Sequence, residues 1–247
     1  MIDILLTVMI AFIFAPMMIG PFLVKWMHWV TARAVISEVS PDTLAPDVRT
    51  FIDLARPELE ALGFQFIGYM TLADYMPKTT SFFGLFSHDA RKTAAMAAVI
   101  QNSSGQTLRY CEFSNIYSNG YVIDVNNSPM QGGYKNPEKT GYRYPKISSI
   151  RKLYDINQWV TARDQRKSTP VGLVKGREAA MIADALDREV QLQAKYGYYV
   201  ENETRTRYKM TWLGALILTE KQVFPVKQIL AYLDLRKAGR AISGMPS

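Results

Sequence analysis

An uncharged apolar segment opens the chain and constrains what the rest of it can be. No residue from Ile4 to Val24 carries a charge, and Lys25, Trp26 and Trp29 follow directly. About 20 apolar residues, each rising ~1.5 Å along a helix, are enough to cross a hydrocarbon core ~30 Å thick, and tryptophan and lysine suit the headgroup layer. The segment therefore predicts a single transmembrane helix in an anchor over residues 1–30, with Lys25, Trp26 and Trp29 as its membrane-interface residues.

A cleaved signal peptide is the alternative interpretation of the same segment. Such a peptide begins with positive charge and has a short apolar core, whereas the only charge before this core is Asp3 and the core is long. Pro16, Gly20 and Pro21 lie within the core and predict a kink in the second half of the helix. The pattern favours a retained signal-anchor.

The distribution of positive charge predicts the orientation of the chain. Lys25 and Arg33 follow the apolar segment, and no lysine or arginine precedes it. Short segments rich in these residues stay on the cytoplasmic side of a membrane. The one cysteine, Cys111, cannot form an intrachain disulfide, which agrees with a reducing compartment. We expect a single-pass inner-membrane protein with its N-terminus outside and its main domain in the cytoplasm.

Hydrophobic periodicity predicts an α+β domain after a linker at 31–46. Apolar residues recur at helical spacing over 47–62, and from Phe64 the period becomes that of a strand. Short connections between further β-like runs favour an antiparallel β-meander packed by helices. These runs are 81–86, 93–100, 108–116 and 121–125. The run 93–100 is alanine-rich and also fits a helix, and Asn119–Gly120 predicts a type I′ hairpin with positive φ at both residues.

Proline and glycine interrupt the pattern at 128–145, which predicts a long surface loop. Helices are expected after that loop at 150–166, at 177–196 and at 211–242, the last interrupted at Pro225. The predicted C-terminal part is therefore helical.

The balance of positive and negative charge also differs between the first and second parts of the chain. Residues 34–132 carry six Lys/Arg against ten Asp/Glu, whereas residues 133–247 carry 21 against 11. The second part is expected to meet something anionic, although a solvated basic face without a partner is the alternative. The predicted organisation is an anchor, a linker, an α+β domain at 47–145 and a basic helical C-terminal region at 146–247 that packs on the same domain or on the membrane surface.

The motifs of common catalytic sites are absent from the sequence. Two histidines and one cysteine do not stand in a zinc-ligand spacing, and neither a P-loop nor a dinucleotide-binding fingerprint occurs. No metal and no cofactor are therefore expected. The catalytic residues stay unknown, and the absence of a motif favours a protein that is not an enzyme.

Basic residues are concentrated in the predicted loop and near the C-terminus, with tyrosines interleaved in the loop. This composition fits nucleic acid or anionic lipid. Tethering near a bilayer favours lipid headgroups and makes nucleic acid unexpected, while packing of the loop on the acidic first part is the remaining alternative. The candidate anion-binding or membrane-surface residues are Lys135, Lys139, Arg143, Lys146, Arg151, Lys152, Arg236, Lys237 and Arg240.

The leading functional hypothesis is a membrane-tethered, non-enzymatic accessory or scaffold subunit that binds a membrane-protein partner. The second is a membrane-bound enzyme acting on a lipid or other anionic substrate, with Asp124 or Glu112 as general base. The third is a sensor that binds a small molecule in an apolar cavity between the helix at 47–62 and the sheet.

Overall fold

The computed structural model describes residues 2–130, 133–166 and 168–245, and for residues 2–14 only the helical backbone. The described chain forms a mixed α+β fold. Its helices are α1 (Ile2–Met27), α2 (Pro46–Ala61), α3 (Ile150–Arg163), α4 (Glu178–Lys195), α5 (Trp212–Glu220) and α6 (Val226–Ala241). Its strands are β1 (Trp29–Thr31), β2 (Ile36–Glu38), β3 (Gln65–Met76), β4 (Thr79–His88), β5 (Thr93–Asn102), β6 (Thr107–Tyr117), β7 (Val122–Asn126), β8 (Lys139–Arg143), β9 (Pro170–Val171), β10 (Tyr199–Glu201) and β11 (Arg207–Met210).

The apolar N-terminal segment is helical as α1. The predicted span from Ile4 to Val24 falls partly on residues 4–14, whose side chains lie outside the described ones. In the part of the chain that the structure describes, no helix combines the length and apolar character needed to cross a membrane. The predicted transmembrane span is therefore not supported.

The main sheet has the strand order β2-β3-β4-β5-β6-β7-β8, with β9 paired to β6. Strands β2 to β7 pair antiparallel with their neighbours, which confirms the predicted meander. The alanine-rich run is the central strand β5, because its small side chains are buried on both faces of the sheet. Strand β8 differs from the others in running parallel to β7.

The first face of the sheet packs on α2 and α3. Val48, Ile52 and Leu59 of α2 lie against this face, where Phe86 and Phe113 are fully buried. Residues at helical spacing on α2 and at alternate positions on the strands meet in one core, so hydrophobic burial fixes both registers. The C-terminal end of α6 joins this core through Ala238.

The second face of the sheet packs on α4. Leu85 and Ala98 of the sheet contact Ile182 and Leu186 of the helix in a separate apolar cluster. This face becomes polar toward β6, β7 and β8, and that end holds the charged residues described below.

A second, three-stranded sheet with the order β1-β11-β10 connects α1 and α5 to the rest of the molecule. Its core includes Val30, Tyr199 and Met210, and it also receives Ala215 of α5 and Val190 of α4. Because β1 follows α1 directly, this small sheet fixes the direction in which α1 leaves the domain.

Two local predictions are wrong. The hairpin at Asn119–Gly120 has positive φ at Gly120 only, and the Gly120 N–H donates to the Tyr117 carbonyl oxygen at 2.8 Å. It is therefore a three-residue turn ending in a left-handed glycine instead of a type I′ turn. The predicted loop 128–145 contains strand β8, because β7 supplies the hydrogen-bonding partner that a local pattern does not reveal.

Candidate functional site

Three segments carry exposed apolar side chains, which are together called the apolar surface here: the second half of α1, helix α5, and the α5–α6 connection with most of α6. Large hydrophobic side chains that stay exposed are concentrated there, although a folded domain normally buries such groups. They are Met17, Met18, Ile19, Phe22, Leu23, Trp26 and Met27 from α1, Trp212, Leu213 and Leu216 from α5, and Phe224, Ile229, Tyr232, Leu233 and Leu235 from the α6 region.

Helices α1 and α5 pack closely side by side. A Cβ atom placed on Gly20 would lie 2.5 Å from Cγ2 of Thr219, so the absence of a side chain at Gly20 permits this approach. The rings of Phe22 and Trp212 meet edge to face, with 4.9 Å between their centroids. A groove of about 440 Å³ with an almost entirely apolar lining, to which Met18 also contributes, runs between the two helices.

One of the predicted membrane-interface residues, Lys25, lies between two tryptophans at the end of α1. Its ammonium is 5.6 Å from the ring centroid of Trp26 and 5.1 Å from that of Trp212. Trp29 contacts Arg207, whose guanidinium carbon is 4.0 Å from the ring centroid. Two distant parts of the sequence thus supply one group of aromatic and basic side chains, and the local pattern around Lys25 does not reveal Trp212 as a member.

Most of the predicted anion-binding residues are exposed. Arg143 and Lys139 are the exceptions, because their side chains are engaged within the domain. Arg143 is buried, and its Nε donates to Asp234 Oδ2 at 2.8 Å. Lys139 turns into the domain and is described with the charged cluster below. Lys237 donates from Nζ to the Gly141 carbonyl oxygen at 3.1 Å. The exposed ones besides Lys237 are Lys135, Lys146, Arg151, Lys152, Arg236 and Arg240.

A cluster of charged residues, here called the Lys139 cluster, lies between α4 and the β6–β8 end of the sheet. It comprises Lys139, Asp124, Glu112 and Glu189. The Lys139 ammonium is 2.5 Å from Asp124 Oδ2 and 3.6 Å from Glu189 Oε2. Asp124 is only 2% exposed, whereas the side chains of Lys139 and Glu189 are 34% and 31% exposed. The cluster therefore has a buried end in the sheet and a solvent-facing end at α4.

The carboxylate oxygens of the cluster are only partly satisfied by hydrogen bonds. Ser114 Oγ donates to Glu112 Oε1 at 3.4 Å and Asn126 Nδ2 to Glu112 Oε2 at 3.2 Å. Within the described chain, Oδ1 of Asp124 is buried and has no hydrogen-bond partner. A buried acceptor without a donor is unfavourable, so this oxygen marks a place where a proton or a donor group would be stabilised.

Burial and neighbouring charges shift the acidity of the cluster. Burial, with the Asp124 carboxylate as the next cause, raises the pKa of Glu112 to about 7. Burial alone would lower the pKa of Lys139, but the carboxylates of Asp124, Glu189 and Glu112 outweigh it and raise that pKa well above its ordinary value. Lys139 therefore stays charged, and the pKa of Glu112 lies near neutral pH.

An open cleft of about 970 Å³ lies on the other side of α4, between this helix and strands β2 and β3. Its lining includes the apolar side chains of Ile36 and Met70 and the charged side chains of Arg33, Arg177 and Asp184. The Ala34 N–H donates to Asp187 Oδ1 at 2.7 Å, and both residues also line the cleft. The cleft therefore offers both signs of charge beside apolar side chains.

Part of this arrangement was accessible from the sequence. Glu112 and Asp124 were candidate acids, and both occupy the polar face of their strands. Lys139 and Glu189 were not connected with them, because β8 was predicted as loop and Glu189 comes from a helix 50 residues later. Asp124 and Asn126, two positions apart in β7, were the available signal for a polar face of this strand.

The described residues contain no group of three or more histidine, cysteine, aspartate or glutamate side chains placed to hold a metal ion. The fold and the charged interior define the chain as a mixed α+β protein. Comparisons with known protein families, with characterised proteins and with solved structures give no match.

Proposed function

We propose that the chain is a membrane-tethered accessory or scaffold subunit without enzymatic activity. The observation that carries this proposal is the concentration of exposed large hydrophobic side chains on α1, α5 and α6. Exposed apolar patches of this kind mark surfaces that contact a membrane or another protein. In this proposal, α1 enters the bilayer, while α5 and α6 lie against it.

The aromatic and basic residues at the end of α1 support a position of this surface at the membrane–water interface. Tryptophan is preferred where one side of the ring meets hydrocarbon and the other meets water, and lysine extends its ammonium toward the headgroups. Trp26, Trp212 and Lys25 combine these properties in one place. We place them at the headgroup layer of the inner membrane, with the main domain in the cytoplasm.

Anionic lipid headgroups are the proposed ligands of the exposed basic residues. Lysine and arginine close to an anionic leaflet each contribute ~1 kcal/mol to binding. The exposed members, such as Lys135 and Arg236, suit this role, whereas the ion pair of Arg143 with Asp234 withdraws that arginine from it. Nucleic acid is not a proposed ligand.

A membrane-protein partner completes the proposal. The groove between α1 and α5 is lined by methionine, phenylalanine, tryptophan and leucine. Adaptable methionine side chains are common where a surface accepts another chain. We propose that a partner helix packs in this groove.

Purification of the full-length chain in mild detergent, followed by size analysis and identification of co-eluting proteins, tests the partner. We expect a discrete complex of constant stoichiometry. The double variant Leu213→Ser, Leu216→Ser should lose the partner, because both side chains are about half exposed on α5. Leu54→Ser removes an even more exposed leucine from α2 and should leave the complex intact. A wild-type monomer, or equal loss in both variants, contradicts the proposal.

A second candidate is a membrane-bound enzyme or sensor for an anionic small molecule. The raised pKa of Glu112 favours it, because buried general bases have such values near neutral pH. Binding or turnover that is unchanged in Glu112→Gln would exclude Glu112 from that role.

A further inference from the structure

Helix α4 is held on the domain by four consecutive residues. Each of them contacts a different part of the fold, so this one turn carries the polar attachment of the helix. The Tyr75 hydroxyl donates to the Leu186 carbonyl oxygen at 3.4 Å, the Ala34 N–H to Asp187 at 2.7 Å and Arg188 Nε to Glu138 at 3.0 Å, and Glu189 faces Lys139 at 3.6 Å.

The contact of Glu189 is the one that connects α4 to the interior charges. Three members of the Lys139 cluster belong to the sheet, and only Glu189 belongs to the helix. One ammonium pairs with Asp124 and Glu189, and Glu112 interacts electrostatically with all three groups, so the cluster holds an excess of negative charge whenever its three carboxylates are ionised. Asp124 cannot relieve this excess by moving, because it is buried in β7. Glu189 can, because it is partly exposed and lies on a helix packed over the sheet.

We propose that the Lys139 cluster is a proton-binding site that controls the docking of α4: a proton on Glu112 favours the docked helix, and its loss favours release. The proton removes one negative charge next to Asp124 and Glu189. Ser114 and Asn126 donate to the Glu112 carboxylate and therefore favour its ionised form, so the proton is lost readily once the neighbouring negative charge is removed. No covalent chemistry is involved.

Several described groups around Glu112 enter this balance. Burial is the largest effect and favours the protonated form of Glu112, as do Asp124 and Glu189, whereas Lys139 and the Ser114 hydrogen bond favour the ionised form. Tyr110 is a further neighbour, and its hydroxyl stays protonated because burial and the Glu112 carboxylate raise its pKa. Release of α4 admits water and removes Glu189, and both changes lower the pKa of Glu112 toward its ordinary value.

The direction of the pH effect follows from proton linkage. The docked form has the higher Glu112 pKa, about 7, and therefore binds the proton more tightly than the released form. Docking is then favoured at pH values below 7 and weakens as the pH rises through 7. If release brings the Glu112 pKa well below 6, the equilibrium constant for opening rises about tenfold between pH 6 and pH 8.

Release of α4 would affect both the cleft and the apolar surface. Ala183 of α4 lines the cleft, which would widen. Val190 of α4 packs with Met210 and Ala215, which support α5 and the apolar surface. The same proton would thus alter access to the cleft and the support of α5.

Amide hydrogen exchange of the full-length protein in mild detergent, at pH 6 and pH 8 and corrected for intrinsic exchange rates, tests the proposal. We expect about tenfold less protection at pH 8 in peptides of α4. Peptides of α3, on the opposite face of the sheet, are the internal reference and should not change. Equal protection of α4 at both pH values, or an equal loss in α3, overturns the proposal.

Two matched variants separate Glu112 from general charge effects. Glu112→Gln carries the neutral side chain permanently, so α4 should stay protected at pH 8 as well as at pH 6. Glu178→Gln makes the same change of charge on α4, eleven residues before Glu189, and should keep the wild-type pH dependence. Persistence of the effect in Glu112→Gln, or its loss in Glu178→Gln, overturns the proposal. If Glu112→Gln does not fold, the wild-type comparison of α4 with α3 decides.

Discussion

Asp124 has its carboxylate inside the sheet, where Lys139 is its ion-pair partner. Removing one member of a buried ion pair is costly, because the other charge stays behind without compensation. Glu112 and Glu189 remain near Lys139 and reduce that cost. Asp124 is therefore strongly attracted to Lys139, but Glu112 and Glu189 would partly compensate the Lys139 charge if Asp124 were removed.

We expect Asp124→Asn to lower the free energy of unfolding by about 2 kcal/mol, which is less than the ~3–5 kcal/mol of a fully buried pair because Lys139 is partly exposed. Glu60→Gln is the control, since its pair with Arg56 lies on the surface of α2 and contributes about 0.5 kcal/mol or less. Urea denaturation of both variants measures the difference. Equal losses of unfolding free energy in the two variants would show that the buried pair stabilises the fold no more than the surface pair does.

At the residue scale, the sequence identifies acids better than it identifies their partners. Asp124 and Glu112 stand out because a charge inside a β-like run needs an explanation. Lys139 stands among prolines and glycines and looks like a surface residue. Its burial depends on the pairing of β8 with β7, which is a tertiary contact that no local pattern contains.

Helices α1 and α5 are adjacent elements although nearly 200 residues separate them in the sequence. Their contact depends on Gly20, because any side chain there would meet Thr219. Thr219 is buried and cannot move away freely. Close contact of small residues is a common way for helices to associate in membranes.

We expect Gly20→Val to destabilise the α1–α5 contact by about 1–3 kcal/mol through overpacking. Gly239→Ala is the matched control on α6, where a Cβ atom meets nothing within 4 Å. That change should leave the contact intact and stabilise its helix by about 0.5–1 kcal/mol. Denaturation in mild detergent, followed by the fluorescence of Trp212, distinguishes the two. A neutral Gly20→Val would contradict the packing.

At the element scale, strong periodicity was sufficient for α2, α3, α4 and the strands β3 to β7. The short strands β1, β2, β9, β10 and β11 were not predicted, because two to four residues cannot display a period. These strands exist through pairing between distant segments, such as β1 with β11. The small sheet that positions α1 could therefore not be predicted from the sequence.

The whole molecule has an uneven distribution of polar and apolar surface. Exposed apolar side chains are concentrated on α1, α5 and α6, whereas the large sheet with α2 and α3 forms an ordinary buried core, which α6 joins through Ala238. Helix α4 contacts both parts, through Leu186 to the sheet and through Val190 to the small sheet. The proposed membrane contact and the proposed proton site are thus joined by one helix.

Quenching of tryptophan fluorescence by lipids with brominated acyl chains tests the membrane contact most directly. The chain has four tryptophans, and variants that retain Trp212 alone or Trp159 alone, with phenylalanine at the other three positions, form a matched pair. Trp159 packs against the first core of the sheet and donates to the Ala241 carbonyl oxygen at 3.1 Å. We expect strong quenching of Trp212 and little of Trp159 in reconstituted vesicles. Equal quenching of the two, or none of Trp212, would contradict a membrane contact through the apolar surface.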